Sequence, residues 1–301
     1  MLSRRRKLFT MRGDEAFTMI RRSSRAAGQH IEIGVRRRSI AILQQGASMP
    51  PSSVTEVALV TGGARRIGAA IVRRLAQAGY RVVIHVNRSR ESADALCEDI
   101  VAAGGQAAVC VADLARVDDV GALVAAAAEP FGPLTLLVNN ASEFESDEIG
   151  ALDPDRFDRT MAINLRAPLF LAEAFARQAT GDGCIVNLLD QRVFKPTPRF
   201  VSYALSKAAL HTATAMLAQA LAPRIRVNAV APGPVLPSPR QSEAEFARQA
   251  VSLPLGHGPA PEEIAEAVLF LARARSVTGQ TVTVDGGQHL AWRTPDSDMA
   301  E

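Results

Sequence analysis

Tyr203 and Lys207 stand four residues apart in the segment IVNLLDQRVFKPTPRFVSYALSKAAL, residues 185–210. On a helix that spacing puts both side chains on one face. A phenol with a pKa near 10 is a poor proton donor or acceptor at neutral pH. A neighbouring ammonium favours the phenolate and so lowers that pKa, which gives the pairing a chemical purpose. Lysine is scarce in this chain: Lys7, Lys195 and Lys207 are the three among 34 basic residues. Where arginine dominates so strongly, a retained lysine points to a need for its compact charge.

A second group of residues suits a phosphate-bearing ligand. The run Thr61-Gly62-Gly63-Ala64-Arg65-Arg66-Ile67-Gly68 follows a short apolar segment, Val57–Val60, and precedes an amphipathic stretch. A strand that feeds a glycine-rich turn and then a helix offers close backbone approach and free N–H groups to a pyrophosphate. The next apolar segment ends in Asn87-Arg88-Ser89. Folds specific for NAD place an acid there for the ribose 2′-hydroxyl. Here a guanidinium and a hydroxyl stand instead, with Arg65 and Arg66 in the neighbouring turn, and that chemistry suits the 2′-phosphate of NADP(H). Asp113-Leu114 follows a third apolar segment, at the place where the adenine lies in such folds.

The elements that must position these residues are regular from residue 55 onward. Strands are predicted at Val57–Val60, Arg81–Val86, Ala107–Val111, Leu134–Val138, Cys184–Leu188, Arg226–Ala231 and Thr281–Val284. Helices are predicted at Ala69–Ala78, Ser92–Ala103 and Val117–Ala128, near Pro154–Gln178 and Tyr203–Leu221, and at Glu262–Ala272. Gly79 and Gly104-Gly105 stand where helix-ending glycines belong. Strands alternating with helices at this spacing predict an α/β fold: a doubly wound, Rossmann-type, seven-stranded parallel sheet with helices on both faces, in a single domain. The segment 234–261 is rich in Pro, Ser and Gly and reads as a mobile substrate loop.

Charge divides the chain unevenly. Residues 1–48 carry eleven basic residues against three acids, a local balance of +8, which leaves about −5 for residues 49–301 of a chain whose total is +3. The first 48 residues therefore read as a basic, disordered extension to a domain spanning 49–301. A targeting peptide, a basic contact arm and a translation start placed too far upstream of Met49 all fit it. The body shows no basic face, which argues against a nucleic-acid partner. No apolar run reaches the roughly 18 residues of a membrane span. Cys97, Cys110 and Cys184 are scattered, and their spacing supports neither a disulfide framework nor a zinc site. No metal is expected, and a reducing, cytoplasmic compartment fits.

Taken together, Thr61–Gly68, Asn139-Asn140-Ala141, Asn164, Tyr203, Lys207 and Pro232-Gly233 resemble the short-chain dehydrogenase/reductase superfamily, in order and over roughly residues 55–290. The resemblance implies that Tyr203 transfers a proton, that Lys207 also holds the nicotinamide ribose, and that Asn164 supports a proton-relay water. It implies further cofactor contacts from Thr61, Gly62, Ile67, Gly68, Asn140, Ala141, Ser142, Pro232 and Gly233, and a homotetramer.

Two departures from the usual superfamily pattern bear on the substrate. Arg66 replaces a customary glycine, and Asp190 replaces the customary catalytic serine. That serine donates to a carbonyl oxygen, which an ionised carboxylate cannot do. Asp190 suits instead a substrate with ring N–H groups to bind or a ring nitrogen to protonate. The combination is similar to pteridine reductase, and this similarity implies roles for further residues. Arg66 reaches cofactor phosphate and pterin, and Asp190 works with Tyr203 as proton donor. Ser142 and Phe144 line the pterin, with the phenyl ring stacking on it. The implied activity is NADPH-dependent reduction of a dihydropterin or dihydrofolate. Val235 and Glu143 stand where serines are usual in that family, so the identity of the pterin stays open. So do two rival readings. One is a carbonyl reductase of the same superfamily, acting for example on a 3-oxoacyl thioester. The other is a non-catalytic NADP-binding sensor that uses its basic extension as a contact arm.

Overall fold

The computed structural model describes residues 19–22, 31–34 and 56–292 apart from Pro239. The chain divides into two units, Met1–Ser52 and Ser53–Glu301. In the first, Met19–Arg22 and Ile31–Gly34 pair as antiparallel strands. The expectation of disorder for the rest of residues 1–48 lies outside the described residues.

The second unit carries a seven-stranded parallel sheet. Its strands are β1 (Val57–Thr61), β2 (Arg81–Val86), β3 (Gln106–Val111), β4 (Leu136–Asn139), β5 (Gly183–Leu188), β6 (Ile225–Pro232) and β7 (Thr281–Val284), in the order β3-β2-β1-β4-β5-β6-β7. The inner strands β1, β4 and β5 are buried along their whole length, and their mainly apolar sequences suit strands covered on both sides. α1 (Arg66–Gln77), α2 (Arg90–Ala102) and α8 (Pro261–Arg273) pack with one face of the sheet. On the other face lie α3 (Val117–Ala128), α5 (Ala167–Gln178) and α6 (Val201–Leu221). The order reverses between β1 and β4, which opens a crevice at the carboxyl ends of those strands.

Two details differ from expectation. The helix predicted near Pro154–Gln178 is α4 (Pro154–Met161) and α5 joined by one π-helical turn, Ala162–Arg166, that contains Asn164. Such turns hold one extra residue per turn and are common at functional sites. The segment 234–261, expected to be loop, contains α7 (Glu243–Val251). Ser242 and Glu245 close a capping box at its start: the Ser242 side chain accepts from the Glu245 N–H, and the Glu245 carboxylate accepts from the Ser242 N–H. That signature was present in the sequence beneath the Pro/Ser/Gly composition.

Candidate active site

α6 presents Tyr203 and Lys207 because it is fastened at both ends of their face. At its start, Phe200 takes a left-handed conformation, φ 59°, and donates its N–H to the Asp147 carbonyl at 2.8 Å. The Asp147 carboxylate accepts from the Ser202 N–H at 3.2 Å and from the Ser202 hydroxyl, and so caps the helix from a distant loop. Deeper in, Asn139 Nδ2 donates to Asn187 Oδ1 at 2.9 Å, and Asn187 Nδ2 donates to Thr214 Oγ1 at 3.0 Å. This buried chain ties β4 and β5 to the middle of α6.

Asp190 stands just beyond β5 and meets the tyrosine. The Tyr203 hydroxyl donates to Asp190 Oδ2 at 2.9 Å. The same oxygen accepts from Arg192 Nη1 at 3.0 Å, and Oδ1 accepts from the Arg192 N–H at 2.8 Å. Every neighbour of the carboxylate is thus a donor, and its remaining lone pairs are open to a ligand N–H. Lys207 Nζ donates to the Leu188 carbonyl at 2.6 Å and lies 5.8 Å from the centre of the Tyr203 ring.

The electrostatics correct one expectation. Tyr203 is not drawn toward phenolate by Lys207. Burial pushes its pKa well above the usual value, and the negative charge of Asp190 and the hydrogen bond to it push in the same direction. Tyr203 is therefore a protonated donor. Lys207 gives ground instead: burial lowers its pKa to about 8, with the Asp190 charge working against the fall.

Asn164 is held by its side chain. Its Oδ1 accepts from the Glu143 N–H at 2.8 Å and from Ser142 Oγ at 3.3 Å. Its Nδ2 donates to the Glu143 carbonyl at 2.9 Å and to Ser206 Oγ at 3.1 Å. All four capacities of the amide are filled by protein. The side chain fixes the loop after β4 against α6, so a relay water at Asn164 would be held through the main-chain carbonyl.

The glycine-rich turn after β1 packs against the loop after β4. Gly62 turns through φ +61°, and a Cβ on it would approach Ala141 Cα to 3.0 Å. A Cβ on Gly68 would meet the Gly62 carbonyl at 2.2 Å and Asn140 Nδ2 at 2.7 Å. Asn140 Nδ2 donates to the carbonyls of Thr61 and Gly62, and Thr61 Oγ1 accepts from the N–H groups of Asn140 and Ala141. The turn is thereby locked to the loop after β4, while α1 starts at Arg66, beside Ile67, with no side chain capping it. Its N–H groups are open to an anion. Arg88 is exposed at the end of β2, with Asn87 and Ser89 beside it, and Arg65 Nε donates to Ser92 Oγ at 3.1 Å close by. These residues fit a dinucleotide with a 2′-phosphate. Asp113 Oδ1 accepts from the Ala115 N–H at 3.0 Å in a local turn, and the Leu114 side chain is buried in the core, so Leu114 can reach a ligand through its main chain alone. Gly233, after Pro232, lies where a Cβ would meet Asp285 Cα at 2.7 Å, which closes the end of β6 against the segment after β7. Gly68→Ala is expected to weaken NADPH binding about tenfold or more, since overpacking of this kind costs about 1–3 kcal/mol. Titration by nicotinamide fluorescence reads this directly, and unchanged affinity would refute the cradle.

Arg66 also adopts a left-handed conformation, φ 53°, which explains why glycine is usual at this position. Its guanidinium donates to the carbonyls of Leu236 at 3.2 Å and Pro237 at 3.0 Å, so it pins the segment after β6 rather than pointing freely at a phosphate. Phe144 stands edge-on to Tyr203, with ring centres 4.7 Å apart, and stacks on Phe200 at 4.5 Å. Arg192 and Arg240 flank its ring at 5.6 and 5.4 Å. Phe200, Arg240 and Asp147 are residues beside the site that sequence reasoning missed. No spacing rule reaches them, because their contacts join segments far apart in the chain. Among the described residues no group of His, Cys, Asp or Glu is placed to hold a metal ion, and no helix is long and apolar enough to cross a membrane.

A doubly wound sheet, a dinucleotide cradle and a Tyr–Lys pair on one helix face define an NADP-dependent oxidoreductase. The family model described as enoyl-(acyl carrier protein) reductase matches residues 62–289, and the chain belongs to the short-chain dehydrogenase/reductase superfamily. Among solved structures it is similar to FolM alternative dihydrofolate reductase 1 from Brucella canis complexed with NADP. The two are 51% identical, with a TM-score of 0.78, over 81% of this chain and 97% of that one. The corresponding FolM structure from Brucella suis, also in complex with NADP, is 52% identical with the same TM-score of 0.78, over 80% and 98% of the two chains. The 3-oxoacyl-[acyl-carrier-protein] reductase FabG of Staphylococcus aureus is 32% identical over 79% of this chain and 99% of its own length.

Proposed function

We infer that this enzyme reduces a dihydropterin or dihydrofolate to the tetrahydro form with NADPH. One observation carries the reading: the carboxylate of Asp190, and not a hydroxyl, is the group hydrogen-bonded to Tyr203. A carbonyl reductase needs a donor at that place, whereas a pterin offers ring N–H groups for the carboxylate to accept and a ring nitrogen to be protonated. The likeness to two proteins called alternative dihydrofolate reductases supports it.

Bound NADPH supplies the hydride for a pteridine ring carbon. The chain does the rest by position and proton control. Asp190 accepts from the ring N–H groups and fixes the register of the substrate. The Asp190–Tyr203 pair holds one proton, which passes to the nitrogen next to the reduced carbon, and solvent replaces it. Lys207 offsets the negative charge left on the pair and donates to the cofactor ribose. Phe144 gives the flat ring an aromatic wall.

NADPH oxidation at 340 nm tests the assignment. Dihydrobiopterin or dihydrofolate is expected to be turned over, and an acetoacetyl thioester is not. Turnover of the thioester alone would mean that the chain works as its FabG-like relatives are named.

A further inference from the structure

The residues that follow Asp190 shape a second space that the reduction itself does not use. A cavity of about 550 Å³ is lined by Gln191, Arg192, Lys195, Arg199, Phe200 and Pro254, among others, and, among the described residues, by no Asp or Glu. That volume is in the range of small-molecule sites. Arg192 is matched by Asp190 at 3.0 Å. Among the described residues Lys195 has a neutral partner alone, the Ala291 carbonyl at 2.6 Å, and Arg199 is exposed and forms no ion pair, although a strand bridge sets Glu148 opposite it. Two positive charges therefore face the cavity with no Asp or Glu among the described residues that line it.

Two further features suggest what fills it. Gln191 is 5% exposed, and its Oε1 has no hydrogen-bond partner among the described residues. A buried acceptor without a donor costs about 1–3 kcal/mol, which a ligand N–H would relieve. Phe200, Pro196, Pro198, Leu253 and Pro254 give the cavity flat apolar walls. The space borders the active site: of its lining residues, Arg192 holds Asp190 at 3.0 Å and Phe200 stacks on Phe144.

The geometry points to a subsite for an aromatic amide tail ending in carboxylates, the aminobenzoyl-glutamate group of a folate. Lys195 and Arg199 hold the carboxylates, the apolar walls hold the ring, and Gln191 accepts from a tail N–H. This inference rests on the pterin reading and narrows it: the site favours a folate over an unconjugated pterin, whose short side chain leaves both cations unmatched.

The test compares the full chain with its Lys195→Ala/Arg199→Ala variant. KM and kcat are measured for dihydrofolate and for dihydrobiopterin, and binding of p-aminobenzoyl-glutamate alone is followed by saturation-transfer NMR. The KM for dihydrofolate is expected to rise about tenfold or more in the variant, as loss of two charge-assisted contacts implies. The values for dihydrobiopterin should move less than about twofold, and the fragment should bind only the wild type. A KM that shifts equally for both substrates, or for neither, overturns the subsite and leaves the pterin reading standing. A wild type that reduces neither substrate yet binds the fragment through Lys195 and Arg199 sinks the pterin reading and keeps an anion site. A wild type that does neither ends both.

Discussion

Tyr203→Phe is expected to lower kcat by about 10²–10⁴-fold, the range for loss of a positioned proton donor, while NADPH affinity stays within about twofold. The phenyl ring keeps the edge-on contact with Phe144 and the packing of α6. What disappears is the hydroxyl that donates to Asp190. Tyr203 is buried beside a carboxylate and is protonated throughout the neutral range, so the loss is of a donor and not of a pre-formed base. Steady-state kinetics with a parallel binding titration separate the two effects. A variant that loses NADPH binding along with turnover would assign Tyr203 to cofactor binding instead.

The second large effect is expected at Lys207. Lys207→Met should lower kcat/KM by about 10²–10³-fold, the usual scale for removing one preorganised electrostatic contact. In the wild type the pH dependence should show the same group. With its pKa lowered to about 8, Lys207 loses its charge as pH rises through that value. kcat/KM for NADPH, which reports the free enzyme, should therefore fall above pH 8. Lys207→Arg should abolish this limb, because a guanidinium stays charged to pH 12 and beyond. Stability moves the other way. Between pH 8 and the ordinary lysine value of 10.5, the unfolded chain binds the proton and the folded one does not. The burden of a buried ammonium on the fold is thus full below pH 8 and eases as pH rises through that window. A flat rate profile from pH 7 to 9.5 would refute this role for Lys207.

Much of the site was legible because its residues belong to local patterns. The four-residue spacing of Tyr203 and Lys207 puts them on one helix face wherever α6 packs, and the glycine-rich turn after β1 has a backbone reason that a sequence displays. Asp190 was legible by its chemistry, since a carboxylate in place of a hydroxyl excludes one donor role outright. The direction of the Tyr203 shift was not legible. It depends on how deeply α6 is buried and on Asp190 lying closer to the hydroxyl than Lys207 does, both of which are tertiary facts. The π-helical turn at Asn164 likewise has no residue signature, because it reflects how α4 and α5 are pulled onto α6. α7 is hidden for a different reason: the Pro/Ser/Gly composition of 234–261 masks the Ser242–Glu245 cap that marks its first turn.

The measurement that tests the account most directly is kcat for dihydrobiopterin and dihydrofolate in an Asp190→Asn variant. Asparagine keeps the shape and can still accept from the Arg192 N–H, but it cannot share a proton with Tyr203. The account predicts a fall of about 100-fold or more for both substrates, with NADPH binding intact. A fall of less than about threefold would mean that Asp190 merely caps the turn after β5 and would contradict the claim that the Asp190–Tyr203 pair delivers the proton.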